Sequence, residues 1–187
     1  MGGQCSVLLR QEEIAEIQEK TGFTSNQIER LYSRFTNLDK GDCGTLSRAD
    51  FLRIPELAIN PLGERIVDAF FDDNGSDQLN FKQFTQVLAC FRPLSDSNRH
   101  NSREKKLRFA FKMYDLDNDG MISRDELLAV LQMMVGASMS DEQLSSIVDR
   151  TFQDVDRDVD QMISFEEFCC ALEETEVEQK MSIRFLN

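Results

Sequence analysis

The sequence predicts an all-α protein of four helix–loop–helix units arranged in two paired lobes, with a short two-stranded ribbon between paired loops. Three observations predict it. Four acidic or glycine-containing loops begin at Asp39, Asp72, Asp115 and Asp156, each between helices. Each carries an aliphatic residue at its eighth position: Leu46, Leu79, Ile122 and Ile163. Each is followed, just past its twelfth position, by Phe51, Phe84, Leu127 or Phe168. Four copies in one register are an internal repeat. The aliphatic eighth positions are where loops pair, first with second and third with fourth.

This organisation divides the chain into an N-lobe over residues 1–92, a polar linker over 93–103 and a C-lobe over 104–187. Helix punctuation agrees. Thr24-Ser25-Asn26-Gln27 and Ser140-Asp141-Glu142-Gln143 read as capping boxes. Asn60 reads as a cap before Pro61 in a first helical turn. Gly136 stops the Leu127–Val135 run. The linker Pro-Leu-Ser-Asp-Ser-Asn-Arg-His-Asn-Ser-Arg contains His100, the single histidine, which reads as a solvated residue.

The loops carry the chemistry. Calcium is a hard cation that takes six to eight oxygens at about 2.3–2.6 Å. A 12-residue EF-hand loop supplies them from positions 1, 3, 5 and 12 and from the carbonyl of position 7. The third loop places Asp115, Asp117 and Asp119 at positions 1, 3 and 5, Gly120 at the sharp turn, Met121 at position 7 and Glu126 at position 12. That is the complete pattern. The fourth places Asp156, Asp158, Asp160, Met162 and Glu167 in the same roles, but has Gln161 where glycine is usual. A non-glycine residue at positive φ costs about 1 kcal/mol, which weakens such a site without removing it.

The first two loops are degraded. The first has Gly41 and Cys43 at positions 3 and 5 and the shorter Asp50 at position 12. Glycine has no side-chain oxygen, and sulfur is a soft donor that calcium disfavours. The second offers Asp72, Asn74 and Ser76 but ends in neutral Gln83. It is expected to be empty at cytosolic calcium, with a weak third ion as the alternative. Two ions are therefore expected, in the third and fourth loops.

A net charge of −13 argues against nucleic acid, whose phosphates require Lys and Arg, and favours cations or basic partner segments. The five cysteines are odd in number, lack zinc spacing and follow no secretory signal, so free thiols are expected. No apolar run reaches the length of a membrane span. Phe 14 and Met 8 beside Trp 0 suit either a Phe-rich core or helices that re-pack.

Met1-Gly2-Gly3-Gln4-Cys5-Ser6 fits the N-myristoylation pattern, with Gly2 as acceptor. One myristoyl chain binds membranes only marginally, with K of order 10⁴ M⁻¹. A second signal is needed; Cys5 could carry palmitate or remain a free thiol, and no basic patch follows.

The helices around the third loop are apolar almost all round. Phe109, Met113, Leu127, Leu131, Met134 and Val135 are expected to line a groove for an amphipathic helix; a thick core is the other reading. The tail Val177–Asn187 either docks on the body, covering the groove, or frays. No phosphate loop, nucleophile elbow or zinc-protease motif is present, and the paired carboxylates are absorbed by the calcium loops, so no enzyme is expected.

The segments Arg30–Phe35, Ile54–Leu62, Lys106–Phe111 and Met133–Gly136 resemble calcineurin B and its relatives. Glu178–Leu186, with the degraded first two loops, resembles the calcineurin B homologous proteins in particular. The resemblance spans essentially the whole chain. It implies myristoylation at Gly2 and calcium in the third and fourth EF-hands. It also implies a role as a regulatory subunit of a plasma-membrane sodium/proton exchanger, with a juxtamembrane helix held in the groove to support transport and pH regulation. A cytoplasmic protein peripheral at the plasma membrane follows, with endomembranes and nucleus as further locations. Some members also inhibit calcineurin and take part in vesicle traffic.

The alternatives are a calcineurin regulator, either inhibitor or B-type subunit, and a free myristoylated calcium sensor. A B-type subunit is expected to have four competent loops, which Cys43 and Gln83 argue against. The linker is shorter than the insert of vertebrate homologous proteins, which puts that insert's functions in doubt for this chain.

Overall fold

Helix ends in this chain are set by side-chain chemistry. The computed structural model describes residues 9–72, 77–91 and 102–174. Helix α1 (Gln11–Thr21) stops at Gly22, which turns to φ 68 so that its amide reaches the Gln18 carbonyl at 2.7 Å. Helix α2 (Ser25–Leu38) begins with the Thr24–Gln27 capping box and ends at the first loop. Strand β1 (Thr45–Ser47) and the short α3 (Arg48–Phe51) close that unit. Helices α4 (Pro55–Ala58) and α5 (Gly63–Asp72) lead to the second loop, then strand β2 (Gln78–Asn80) and α6 (Phe81–Ala89).

Asn60 does not cap a helix with Pro61 in its first turn, as the sequence suggests. It closes a turn: its Oδ1 accepts from the Leu62 amide at 2.9 Å and its carbonyl from Gly63 at 2.8 Å. Helix α5 starts two residues later than Pro61. Glycine is required there because a Cβ on Gly63 would lie 2.0 Å from the Leu57 carbonyl oxygen.

The C-terminal half repeats the plan. Helix α7 (Arg103–Tyr114) starts from the Ser102 cap, followed by β3 (Met121–Ser123) and α8 (Arg124–Val135). Gly136, at φ 53, ends α8 and opens a 3₁₀ turn through Ser138. Helix α9 (Asp141–Val155) opens with the Ser140–Gln143 capping box; β4 (Met162–Ser164) and α10 (Phe165–Ala171) follow.

The loops pair as their eighth positions require. β1 and β2 are antiparallel with Leu46 opposite Leu79, and β3 and β4 with Ile122 opposite Ile163. All four of these side chains are buried. This is the predicted all-helical fold of paired EF-hands with two small ribbons.

The N-lobe core is a phenylalanine cluster. Phe84 packs against Phe35, Phe51 and Phe81 at ring-centroid distances of 5.5, 5.9 and 6.4 Å. Ile17, Ile28, Leu31 and Val67 complete it. The C-lobe core gathers Phe111, Ile122, Leu127, Val148 and Ile163, with Phe165 and Phe168 edge-on to Phe111. The lobes meet along α5 and α7. Phe109 of α7 leaves the C-lobe and packs on Phe70 at 5.4 Å and on Phe91 at 4.8 Å. No described helix is long and apolar enough to cross a membrane. Cys43, Cys90, Cys169 and Cys170 are free thiols.

Candidate metal centres

The first, third and fourth loops share one backbone. Position 4 turns to positive φ at Asp42, Asn118 and Val159, and position 6 does so at Gly44, Gly120 and Gln161. In each loop the position-1 aspartate gathers the amides of positions 5 and 6. Asp115 accepts from Asp119 at 3.1 Å and Gly120 at 3.0 Å. Asp156 accepts from Asp160 at 3.3 Å and Gln161 at 3.0 Å. Asp39 accepts from Cys43 at 3.1 Å and Gly44 at 2.7 Å.

Gln161 therefore takes the left-handed conformation expected of it, at φ 68. Sequence reasoning misses Val159, whose β-branched side chain makes φ 61 a costlier position than Asn118 does at φ 59. The signal is in the sequence: the fourth position of the loop pattern, read as free, also needs a residue tolerant of positive φ.

The position-12 glutamates have two tasks. Ser123 and Ser164 cap α8 and α10, and each forms a capping box with its glutamate. One oxygen of Glu126 accepts from the Ser123 amide at 2.7 Å, while the other faces the loop and accepts from Leu116 at 2.7 Å and Asp117 at 3.2 Å. Glu167 divides its oxygens the same way, between Ser164 at 2.9 Å and Arg157 at 2.8 Å. Asp50, one methylene shorter, keeps the capping half through Ser47 at 2.9 Å. Its second oxygen pairs instead with Arg53 at 3.1 Å.

Two carboxylate groups result. Ligand atoms of Asp115, Asp117 and Glu126 all lie within 4.8 Å of one another, as do those of Asp156, Asp158 and Glu167. Asp119 and Asp160 flank these groups, accepting from the Met121 and Met162 amides at 2.8 Å each. Those two methionines open β3 and β4, with position 7 in each strand's first residue. An all-oxygen donor set of this density fits a hard divalent cation and no soft one.

The electrostatics agree. Burial pushes the Asp115 carboxyl up, and repulsion from Asp119 and Glu126 adds to it. Asp158 is raised by desolvation and by neighbouring Asp160. Glu126 is raised by burial, but the hydrogen bonds from Ser123, Leu116 and Asp117 outweigh it and hold the carboxyl low. Backbone hydrogen bonding from Ser164 does the same for Glu167. In the first loop, burial raises Asp39, yet the Cys43 and Gly44 amides outweigh it and lower the carboxyl. The position-1 carboxyl is thus raised in the third loop and lowered in the first. Residues 73–76 of the second loop lie outside the described residues, as do Gly2, Cys5, His100 and the tail.

The six residues expected to line a partner groove are dispersed. Leu127 is buried in the C-lobe core and Leu131 packs against it. Phe109 belongs to the inter-lobe contact, and Met113 and Val135 are half-buried. Met134 is 48% exposed, beside Met133 at 43%.

Comparison with known proteins adds the family. A model of the EF-hand domain pair matches residues 104–173, which contain both carboxylate groups. The calcineurin B protein of Naegleria gruberi is 49% identical over 176 residues, covering 94% of this chain and 96% of that one. The calcineurin B protein of Candida glabrata is 41% identical over 172 residues, 92% of this chain and 94% of the relative. Calcineurin B type 1 of Dictyostelium discoideum is 40% identical over 186 residues, 99% of each. With likeness of this degree from end to end, and two EF-hand loops whose oxygens already converge, the chain belongs to the calcineurin B family of EF-hand proteins.

Proposed function

We propose that this chain is a non-catalytic, calcium-loaded regulatory subunit that grips an amphipathic helix of a calcineurin-type catalytic subunit. The observation that carries the reading is the near full-length likeness to proteins named as calcineurin B. The two calcium ions sit in the third and fourth loops, on Asp115, Asp117, Asp119, Met121 and Glu126 and on Asp156, Asp158, Asp160, Met162 and Glu167. Exposed Met133, Met134 and Ile147 on α8 and α9 support an apolar docking face for the partner helix. Gly2 carries a myristoyl group, which gives the protein a marginal, reversible membrane affinity that a second signal would turn into stable peripheral binding.

A second reading, the sodium/proton exchanger subunit, is favoured by one observation. One oxygen of Asp50 caps Ser47 and the other pairs with Arg53, so no Asp50 oxygen remains for a position-12 ligand in the first hand. Calorimetric titration of the full chain separates the two, using the exchanger juxtamembrane helix and the calcineurin helix as peptides, with calcium and with chelator. Tight binding to the calcineurin helix alone is expected. Preference for the exchanger helix overturns the first reading, and binding to neither leaves a calcium sensor. Binding that persists in chelator makes calcium a structural support and not a switch.

A further inference from the structure

Helix α7 ends at the third loop, and its last carbonyls have no partner within the helix. They are taken up from the other lobe. Arg65 of α5 donates from Nη2 to the Lys112 carbonyl at 3.0 Å and to the Asp115 carbonyl at 2.9 Å. Its Nε donates to Met113 at 3.4 Å. The side chain is 17% exposed, and its charge is partly offset by Asp68 at 4.0 Å. Asp115 is position 1 of the third loop and is itself 5% exposed. One guanidinium therefore fixes the backbone of the residue whose carboxylate organises the loop.

We infer that Arg65 is a positioning residue for the third calcium loop, which ties that loop's occupancy to the N-lobe. The inference rests on the reading that calcium occupies the third loop. A cation this close would repel calcium if it acted through charge alone. Its donors, however, are spent on three carbonyls at the negative end of a helix, where a guanidinium is favourable. What remains is geometric: the planar fork holds the junction of α7 and the loop at one angle. Such outer-shell partners typically account for tenfold or more in metal affinity.

The test is a calcium titration of the full chain followed by NMR. The amides of Gly120 and Gln161 are the reporters, since each donates to the position-1 aspartate of its own loop. Arg65→Ala is expected to weaken calcium at the Gly120 reporter about tenfold while leaving the Gln161 reporter within about twofold. Arg65→Lys, which keeps the charge without the fork, stays close to the alanine variant. Equal weakening at both reporters, no weakening, or full recovery by lysine overturns the inference. Should Arg65→Ala fail to fold, Arg65→Lys alone decides. Glu126→Gln in the otherwise unaltered chain is the control: if it leaves the Gly120 response intact, calcium does not occupy the third loop and the underlying reading falls instead.

Discussion

In the N-lobe, Phe35, Phe51, Phe81 and Phe84 pack ring against ring, and the first loop is satisfied by its own amides and by an Asp50–Arg53 pair. In the C-lobe, the described buried cluster is Phe111, Ile122, Leu127, Val148 and Ile163, beside two sets of crowded carboxylates. The backbone of the first loop repeats that of the third and fourth, and the ribbon is the same in both lobes. The difference teaches that the EF-hand loop can be stabilised in two ways: by packing beneath it, or by a cation within it. Where the ligands have been lost, as at Cys43 and Asp50, a thicker apolar core stands under the ribbon. Where they are kept, burial and the neighbouring Asp119 and Glu126 raise the Asp115 carboxyl, a strain that a bound cation would relieve.

Removing calcium should strain this comparison most. Each site contributes about 4 kcal/mol when calcium is about a thousandfold above its Kd. In chelator, hydrogen exchange at Ile122 and Ile163 is expected to accelerate strongly, while Leu46 and Leu79 keep their protection. Equal acceleration in both ribbons would show that the N-lobe also depends on an ion.

The converse perturbation is Phe84→Ala. Removing a buried ring that touches three others should cost about 3–5 kcal/mol, chiefly in the N-lobe, by thermal or urea unfolding. A loss matched by calcium binding at the first two loops would break the division drawn above.

Within the C-lobe, Gln161→Gly relieves a left-handed glutamine and should stabilise the lobe by about 0.5–1 kcal/mol after the added freedom of the unfolded chain is counted. The gain should be present with and without calcium, because the left-handed turn at Gln161, φ 68, belongs to the loop backbone. A gain confined to the calcium-loaded protein would mean that the ion, and not the fold, imposes the strain.

The smallest effect concerns Glu16, which joins α1 to α6. Hydrogen bonds from Lys20 and Lys82 lower its carboxyl from 4.5 to about 2. A depressed carboxyl contributes stability that is whole above pH 4.5 and is lost as pH falls through about 2. The wild-type advantage over Glu16→Gln should therefore disappear across that window in acid unfolding. An advantage that persists below it would point to packing and not to charge.

Much of this is legible in the sequence. Leu46, Leu79, Ile122 and Ile163 give the ribbon register because a position-8 side chain must point inward when loops pair. The carboxylate groups follow from spacing, since a 12-residue loop leaves little choice of where its oxygens meet. What escapes is which neighbour each side chain meets. Arg65 lies fifty residues from the Asp115 carbonyl it caps. Phe109, expected to line the groove because its helix is apolar almost all round, packs on Phe70 and Phe91, neighbours that the helix alone does not name. Asp50 shows by its length that it is a poor ligand, but not that Arg53 takes its free oxygen. The exchanger partner rests on the degraded loops and the tail; the relatives named as calcineurin B support the calcineurin partner better.

The pairing of Phe91 with Phe109 has a consequence for chain connectivity. These rings, 4.8 Å apart, lie on either side of the polar segment between the lobes, Phe91 just before it and Phe109 in the second turn of α7. The chain on either side of that segment is thus joined by a packing contact outside it. Closure entropy grows only with the logarithm of length, so doubling such a segment costs about 0.6 kcal/mol. Residues can be added or lost there at little thermodynamic penalty, which makes this the position where the chain is freest to vary in length without altering how its halves meet.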